Sequence, residues 1–252
     1  MRKPNLIMSL CLGALLAVSC SSSTSDEFEE VNGSVEHKLI KNVMYNSAQN
    51  PSENRVITLN YSSNGTLNTI SNGEESSVFV YENDQLTNVT GGGDALNVEE
   101  LFDSPYNAYE TGQVEEYDDN GNPKLIVFFE EDYNYDTNEY IIKEYTAEIK
   151  YDDAPNPYYY TLESAGIIDA LDKVKLNFSL NQSSEILRAK ALFPLNNPIQ
   201  IIYKNELGEI MLTLNANYDY DTDNYPKTAA LTAVDSRYNE TSTSTLIYTY
   251  VN

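Results

Sequence analysis

Tryptophan is absent from this 252-residue chain, histidine occurs once, at His37, and cysteine occurs twice, at Cys11 and Cys20. A single histidine close to the N-terminal polar stretch argues against Ser-His-Asp and Cys-His nucleophile arrangements, which need that residue inside the main body of the fold. Zinc coordination by clustered Cys and His is excluded on the same count. Basic residues are scarce, with 15 Lys and Arg against 39 Asp and Glu and a formal charge of -24. Such a chain repels phosphate backbones, whose binding depends on Lys and Arg displacing counterions, so nucleic acid is not expected as a partner. Beyond residue 20, no segment approaches the roughly 20 apolar residues of a membrane-spanning helix. The chemistry left open is that of carboxylates, because two acids held about 5 to 10 Å apart can hydrolyse a glycoside. No pair stands out among the 39, and a charged solvent face accounts for nearly all of them. An enzyme is therefore not expected.

The first residues have the form of a processing signal. Arg2 and Lys3 give a positive start, Leu6 to Val18 is apolar but too short to span, and small Ser19 precedes Cys20. Leu15-Leu16-Ala17-Val18-Ser19-Cys20 resembles a bacterial lipobox. That resemblance implies cleavage after residue 19 and a lipid on Cys20, so that the protein is anchored to a membrane without spanning it. Plain secretion, with Ala17-Val18-Ser19 as an ordinary cleavage site, is the alternative. Removing residues 1–19 takes away Cys11 and two basic residues, leaving 13 basic against 39 acidic residues, a formal charge of -26, and no partner for a disulfide. Residues 20–35, rich in Ser and acids, have the composition of a flexible tether. Ser21 to Glu30 also resembles the acidic export signal that follows the lipid cysteine in surface lipoproteins of the Bacteroidota. The resemblance implies an outer-membrane address, with the cell surface favoured over the periplasmic face.

From residue 36 to 252 the pattern is that of a single all-β domain, an antiparallel sheet, twisted or partly closed, built from successive hairpins. Ile57, Leu59 and Tyr61 alternate with polar residues before Asn64-Gly65, and Tyr145, Ala147, Ile149 and Tyr151 alternate with Glu144, Thr146, Glu148 and Lys150. A strand ending in Tyr, then a polar turn, recurs at Tyr61, Tyr81, Tyr117 and Tyr203. Asp94 to Phe102 and Glu163 to Leu171 have helical spacing and predict one or two short helical inserts. Gly91-Gly92-Gly93 lacks the context of a phosphate loop and is expected to be a flexible loop.

These Tyr-and-turn hairpins resemble, in degenerate form, the tyrosine-rich YD repeats of shell-forming β-proteins. The segments from Asn197 to Tyr203 and from Tyr218 to Lys227 are similar to uncharacterised Bacteroidota outer-membrane lipoproteins, a resemblance that implies a fold and an address but no activity. Calcium is the one cofactor worth weighing: Asp219, Asp221 and Asp223 place carboxylates at alternate positions as a calcium loop does, although Asn224 stands where Gly is usual. Asp132, Asp136 and Glu139 form a weaker second set. Tyr158, Tyr159 and Tyr160, taken as a strand, would present rings on both sheet faces for a glycan, while sheet packing explains most tyrosines without a ligand. The expected function is a lipid-anchored, non-catalytic envelope lipoprotein acting as a binding or scaffold module for a glycan, peptide or envelope protein. A carboxylate-dependent glycoside hydrolase and a purely structural envelope protein are the alternatives.

Overall fold

A computed structural model describes residues 23–91, 96–97, 113–135, 137–172, 175–177, 186–188 and 194–251. The chain opens with helix α1 (Thr24–Asn32). Six strands follow: β1 (Ile40–Ser47), β2 (Arg55–Tyr61), β3 (Leu67–Ser71), β4 (Ser76–Glu82), β5 (Gln85–Thr90) and β6 (Leu96–Asn97). Next come β7 (Gln113–Tyr117), β8 (Pro123–Asn134) and β9 (Glu139–Pro155), then two short helices, α2 (Tyr159–Ser164) and α3 (Ile167–Leu171). A small hairpin of β10 (Lys175–Asn177) and β11 (Ile186–Arg188) precedes β12 (Asn196–Lys204), β13 (Ile210–Tyr220), β14 (Pro226–Asp235) and β15 (Glu240–Tyr250).

Thirteen of these strands form one antiparallel sheet, in the order β6-β5-β4-β3-β2-β1-β15-β14-β13-β12-β9-β8-β7. It is open, with β6 and β7 as its edges, while β10 and β11 pair separately. The tightest turn joins β4 to β5 through Asn83 and Asp84, whose φ values of 51° and 62° are those a two-residue hairpin turn of right-handed twist requires. Gly91 ends β5 with φ +90°, and a Cβ there would lie 2.2 Å from the Ser76 carbonyl oxygen, so glycine is a steric necessity at that point.

Alternation within the strands sets which face is buried. Val43, Leu59, Phe79, Ala229 and Tyr248 fall on one face and join Ile40, Leu67, Leu86, Ala165 and Ala170 in the main core. A second cluster lies where the helices meet the sheet, made of Phe28, Tyr159, Tyr160, Ile168, Leu195 and Tyr225.

Two local expectations require correction, and a third holds with an interruption. Residues 24–32 are not a flexible tether but a docked helix. Ser23 caps it reciprocally with Asp26, Gly33 ends it at φ +69°, and Phe28 buries its ring completely. The helical spacing over Asp94 to Phe102 gives way, at Leu96 and Asn97, to β6, which pairs with Val89 and Asn88 of β5; the rest of that segment lies outside the described residues. Glu163 to Leu171 is helical, but Gly166 at φ +72° divides it into α2 and α3. Gly92 and Gly93 lie outside the described residues.

Candidate functional site

Tyr158, Tyr159 and Tyr160 lie on no strand. Tyr158 is the N-cap of α2, and Tyr159 and Tyr160 open that helix, buried to 1 % and 6 % exposure. Asn156 and Pro157 set this start: the Asn156 carbonyl accepts the Tyr159 N–H at 3.1 Å, and its side-chain oxygen accepts the Tyr158 N–H at 3.0 Å. Phe28 lies flat on Tyr159, with ring centroids 3.6 Å apart and planes within 5°, and meets Tyr160 edge-on. Burial pushes the Tyr159 hydroxyl above the ordinary tyrosine range, with the Glu163 carboxylate beside it acting in the same direction. Two of these three rings therefore hold α1 to the body and have no face left for a sugar.

Lys38 occupies the centre of the acidic loop proposed for calcium. Its ammonium lies 2.7 Å from Asp221 and 2.6 Å from Asp223, and 5.5 and 5.8 Å from the centroids of the Tyr225 and Tyr250 rings. Burial acts to raise the Asp221 carboxyl, but Lys38 and the backbone N–H groups of Tyr225 and Asp223 outweigh it and hold the group below its usual range. Burial likewise acts to lower the Lys38 ammonium, and its bonds to the two aspartates raise it instead. Asp219 lies within β13, paired with Thr228, and a register irregularity between it and Tyr220 separates it from the turn that carries Asp221 and Asp223. Among the described residues no group of three or more His, Cys, Asp or Glu could hold a metal ion. The side chains of Asp132 and Asp136 lie outside the described residues. Beside Lys38, a cleft of about 580 Å³ is lined by His37, Tyr248 and Tyr250, with the His37 ring stacked on Tyr160 at 3.9 Å.

A buried amide network fixes the loops between these elements. Asn122, fully buried, accepts the N–H of Leu195 at 2.6 Å and of Asn196 at 3.2 Å, and donates to Asp118 at 3.0 Å and to the Asn196 side chain at 2.9 Å. Asn196 in turn donates to the Ala154 carbonyl and to Asn32 at the end of α1. Asp152 accepts from Asn197 and from the Tyr220 hydroxyl. Every amide here has a partner, so the network is structural.

The exposed feature that sequence reasoning missed is the tip of the β8–β9 hairpin. The two strands pair from Leu125↔Glu148 to Asn134↔Glu139, which sets Tyr133 directly opposite Tyr140. Tyr135 and Tyr140 are 83 % and 72 % exposed, and both meet the Tyr133 ring edge-on, at 5.0 and 5.1 Å. Asn138, at φ 54°, turns the chain between them. Tyr140 and Ile142 share the face on which the same strand carries Glu144 and Glu148, so apolar groups here occupy positions that alternation assigns to water. That break in the period is the signal the sequence carries for this tip.

Cys20 lies outside the described residues, and among the described residues no helix is long and apolar enough to cross a membrane. No family model matches the sequence, and no curated protein matches it. Two solved structures are similar to it in outline. A porin-like protein from Bacteroides uniformis ATCC 8492 aligns over 84 % of this chain and 98 % of its own, with 12 % identity and a TM-score of 0.36. A porin-like protein from Bacteroides vulgatus ATCC 8482 aligns over 85 % of this chain and 99 % of its own, with 15 % identity and a TM-score of 0.37. Likenesses of this size do not fix a shared fold, and nothing about pores passes from those proteins to this chain.

Proposed function

We propose that this protein is a lipid-anchored, non-catalytic envelope protein of the outer membrane, exposed at the cell surface, that binds a partner through the tyrosine tip of its β8–β9 hairpin. The observation that carries the reading is the three-ring cluster of Tyr133, Tyr135 and Tyr140, held in solvent at the end of two long paired strands. Exposed tyrosines offer flat apolar faces and a hydroxyl at little entropic cost, which suits a glycan or a protein surface. The address rests on the lipobox-like run ending at Cys20 and the acidic stretch after it. The hairpin array fits a degenerate relative of YD-repeat proteins among Bacteroidota lipoproteins. Among the described residues, the two carboxylates with a clear shift, Asp221 and Asp235, are both held low, whereas a general acid needs its carboxyl raised, which lends the hydrolase reading no support.

Binding of residues 21–252 to a broad glycan array tests the reading. Specific binding that disappears in the Tyr135→Ala/Tyr140→Ala double variant supports a glycan partner. A clean negative, followed by crosslinking on intact cells that captures no partner dependent on these two tyrosines, overturns the binding role. The anchor is tested separately: Cys20→Ser should release the protein from membranes, and unchanged membrane association with normal processing would remove the lipid from the account.

A further inference from the structure

The distance from the lipid site to the folded body is short, and it sets how the protein stands. Cys20 and Ser23 are separated by three peptide units, which reach at most roughly 11 Å when fully extended. From Ser23 onward the chain is fixed to the body at several points. The Thr24 N–H and hydroxyl both donate to Asp172, at 2.9 and 2.5 Å, and the Ser25 hydroxyl donates to Glu163 at 2.9 Å. Phe28 is buried against Tyr159, and the Asn32 side chain donates to the Leu195 carbonyl at 3.3 Å while accepting from Asn196 at 3.1 Å.

The same contacts locate this helical end along the sheet. Asn196, which holds Asn32, also donates to the Ala154 carbonyl, so α1 lies at the C-terminal end of β9. The 17 residues of that strand run from there to Glu139 at the tyrosine tip, and at about 3.3 Å per residue they cover roughly 50 Å.

We infer that the helical end of the body, formed by α1, α2 and α3, is the face that lies against the lipid surface, and that the strands stand upright from it with the tyrosine tip roughly 50 Å out. This rests on the lipid-anchor reading and deepens it. The surface it fits is a zwitterionic phospholipid layer. Asp26, Glu29, Glu30 and Asp169 are exposed at this end and would be repelled by anionic headgroups, so the short tether and not adhesion keeps it there. The tip, by contrast, is carried clear of the headgroups toward partners in the medium.

The mature chain has one thiol and no tryptophan, and both facts make the geometry measurable. Residues 20–252 would be coupled through Cys20 to phosphatidylcholine vesicles carrying a maleimide headgroup lipid and a dansyl headgroup acceptor. A single tryptophan would be placed at exposed Asp169 on α3 in one variant, Asp169→Trp, and at exposed Thr137 beside the tip in another, Thr137→Trp. Energy transfer to the surface should be several-fold stronger from Asp169→Trp, and a long Gly/Ser insertion after Ser22 should abolish the difference. Equal transfer from the two positions, or stronger transfer from Thr137→Trp, overturns the inference. Because coupling is chemical, the result is independent of lipidation in cells, which the Cys20→Ser experiment addresses.

Discussion

Phe28→Ala is the most informative single substitution, because one ring holds α1 to the body. Phe28 is fully buried, stacked on Tyr159 and edge-on to Tyr160. Truncating a buried Phe costs about 3–5 kcal/mol, and an aromatic pair of good geometry adds about 0.5–1.5 kcal/mol. A nine-residue helix has little stability of its own, so its polar links, Thr24 to Asp172, Ser25 to Glu163 and Asn32 to Leu195 and Asn196, would have to hold it without the ring. The expected outcome is local: α1 detaches while the sheet, whose main core does not include Phe28, keeps its cooperative transition. Native-state hydrogen exchange should show the Glu27 and Gly33 amides, bonded to Ser23 and Glu29, losing roughly a hundredfold of protection or more, since every 1.4 kcal/mol is tenfold. Amides of β13 and β14 should change little. If the α1 amides keep their protection, the stack is not what docks the helix, and the polar links at Thr24, Ser25 and Asn32 hold it instead.

Other perturbations test other parts of the structure. Asn122→Ala takes the side-chain acceptor from the Leu195 and Asn196 N–H groups and leaves the Asn196 side-chain oxygen with Asn120 as its donor, and should cost about 2–4 kcal/mol in urea unfolding. Lys38→Ala removes the cation between Asp221 and Asp223 and should lower stability at neutral pH by about 1 kcal/mol. The Asp221 carboxyl is lowered in the fold, so its share of stability is present above the unfolded carboxylate pKa and disappears as pH falls through the folded value; the Lys38→Ala deficit should therefore shrink in acid. Burial pushes the Tyr81 hydroxyl up to about 12 and raises Tyr151, Tyr218, Tyr248 and Tyr250 as well. Raised groups favour the fold below their unfolded pKa of about 10 and lose that contribution as pH rises beyond it, so stability should fall through the alkaline range while phenolate absorbance lags that of the urea-unfolded chain.

Local patterns made the hairpins legible. Alternation at Ile57, Leu59 and Tyr61, and turn residues at Asn64-Gly65, Asn83-Asp84 and Asn120-Gly121, fall where β2–β3, β4–β5 and β7–β8 turn in the structure. The period over Tyr145 to Tyr151 likewise gives the correct buried face of β9. Features that depend on distant partners were not legible. An acidic, serine-rich segment with one Phe becomes a helix through Tyr159, which lies 131 positions away. Three tyrosines in a row favour a strand by propensity, yet Asn156 and Pro157 start a helix and burial against Phe28 decides the outcome. The acids at 219, 221 and 223 looked like ligands because Lys38, far away in sequence, could not be seen between two of them. The tyrosine tip needs the strand register before its exposure appears.

The placement of β1 beside β15 also governs when the domain can exist. The chain begins in the middle of the sheet, runs outward from β1 to β6, restarts at the opposite edge and returns strand by strand to meet its own beginning. Nearly every pairing joins neighbours in sequence, while Val43 finds its partner at Tyr248, far along the chain. Loop closure over that span makes it a late event. A chain made N-terminus first therefore carries β1 without its partner on that side until β15 is available, and the seam between them closes after both arms of the sheet have formed.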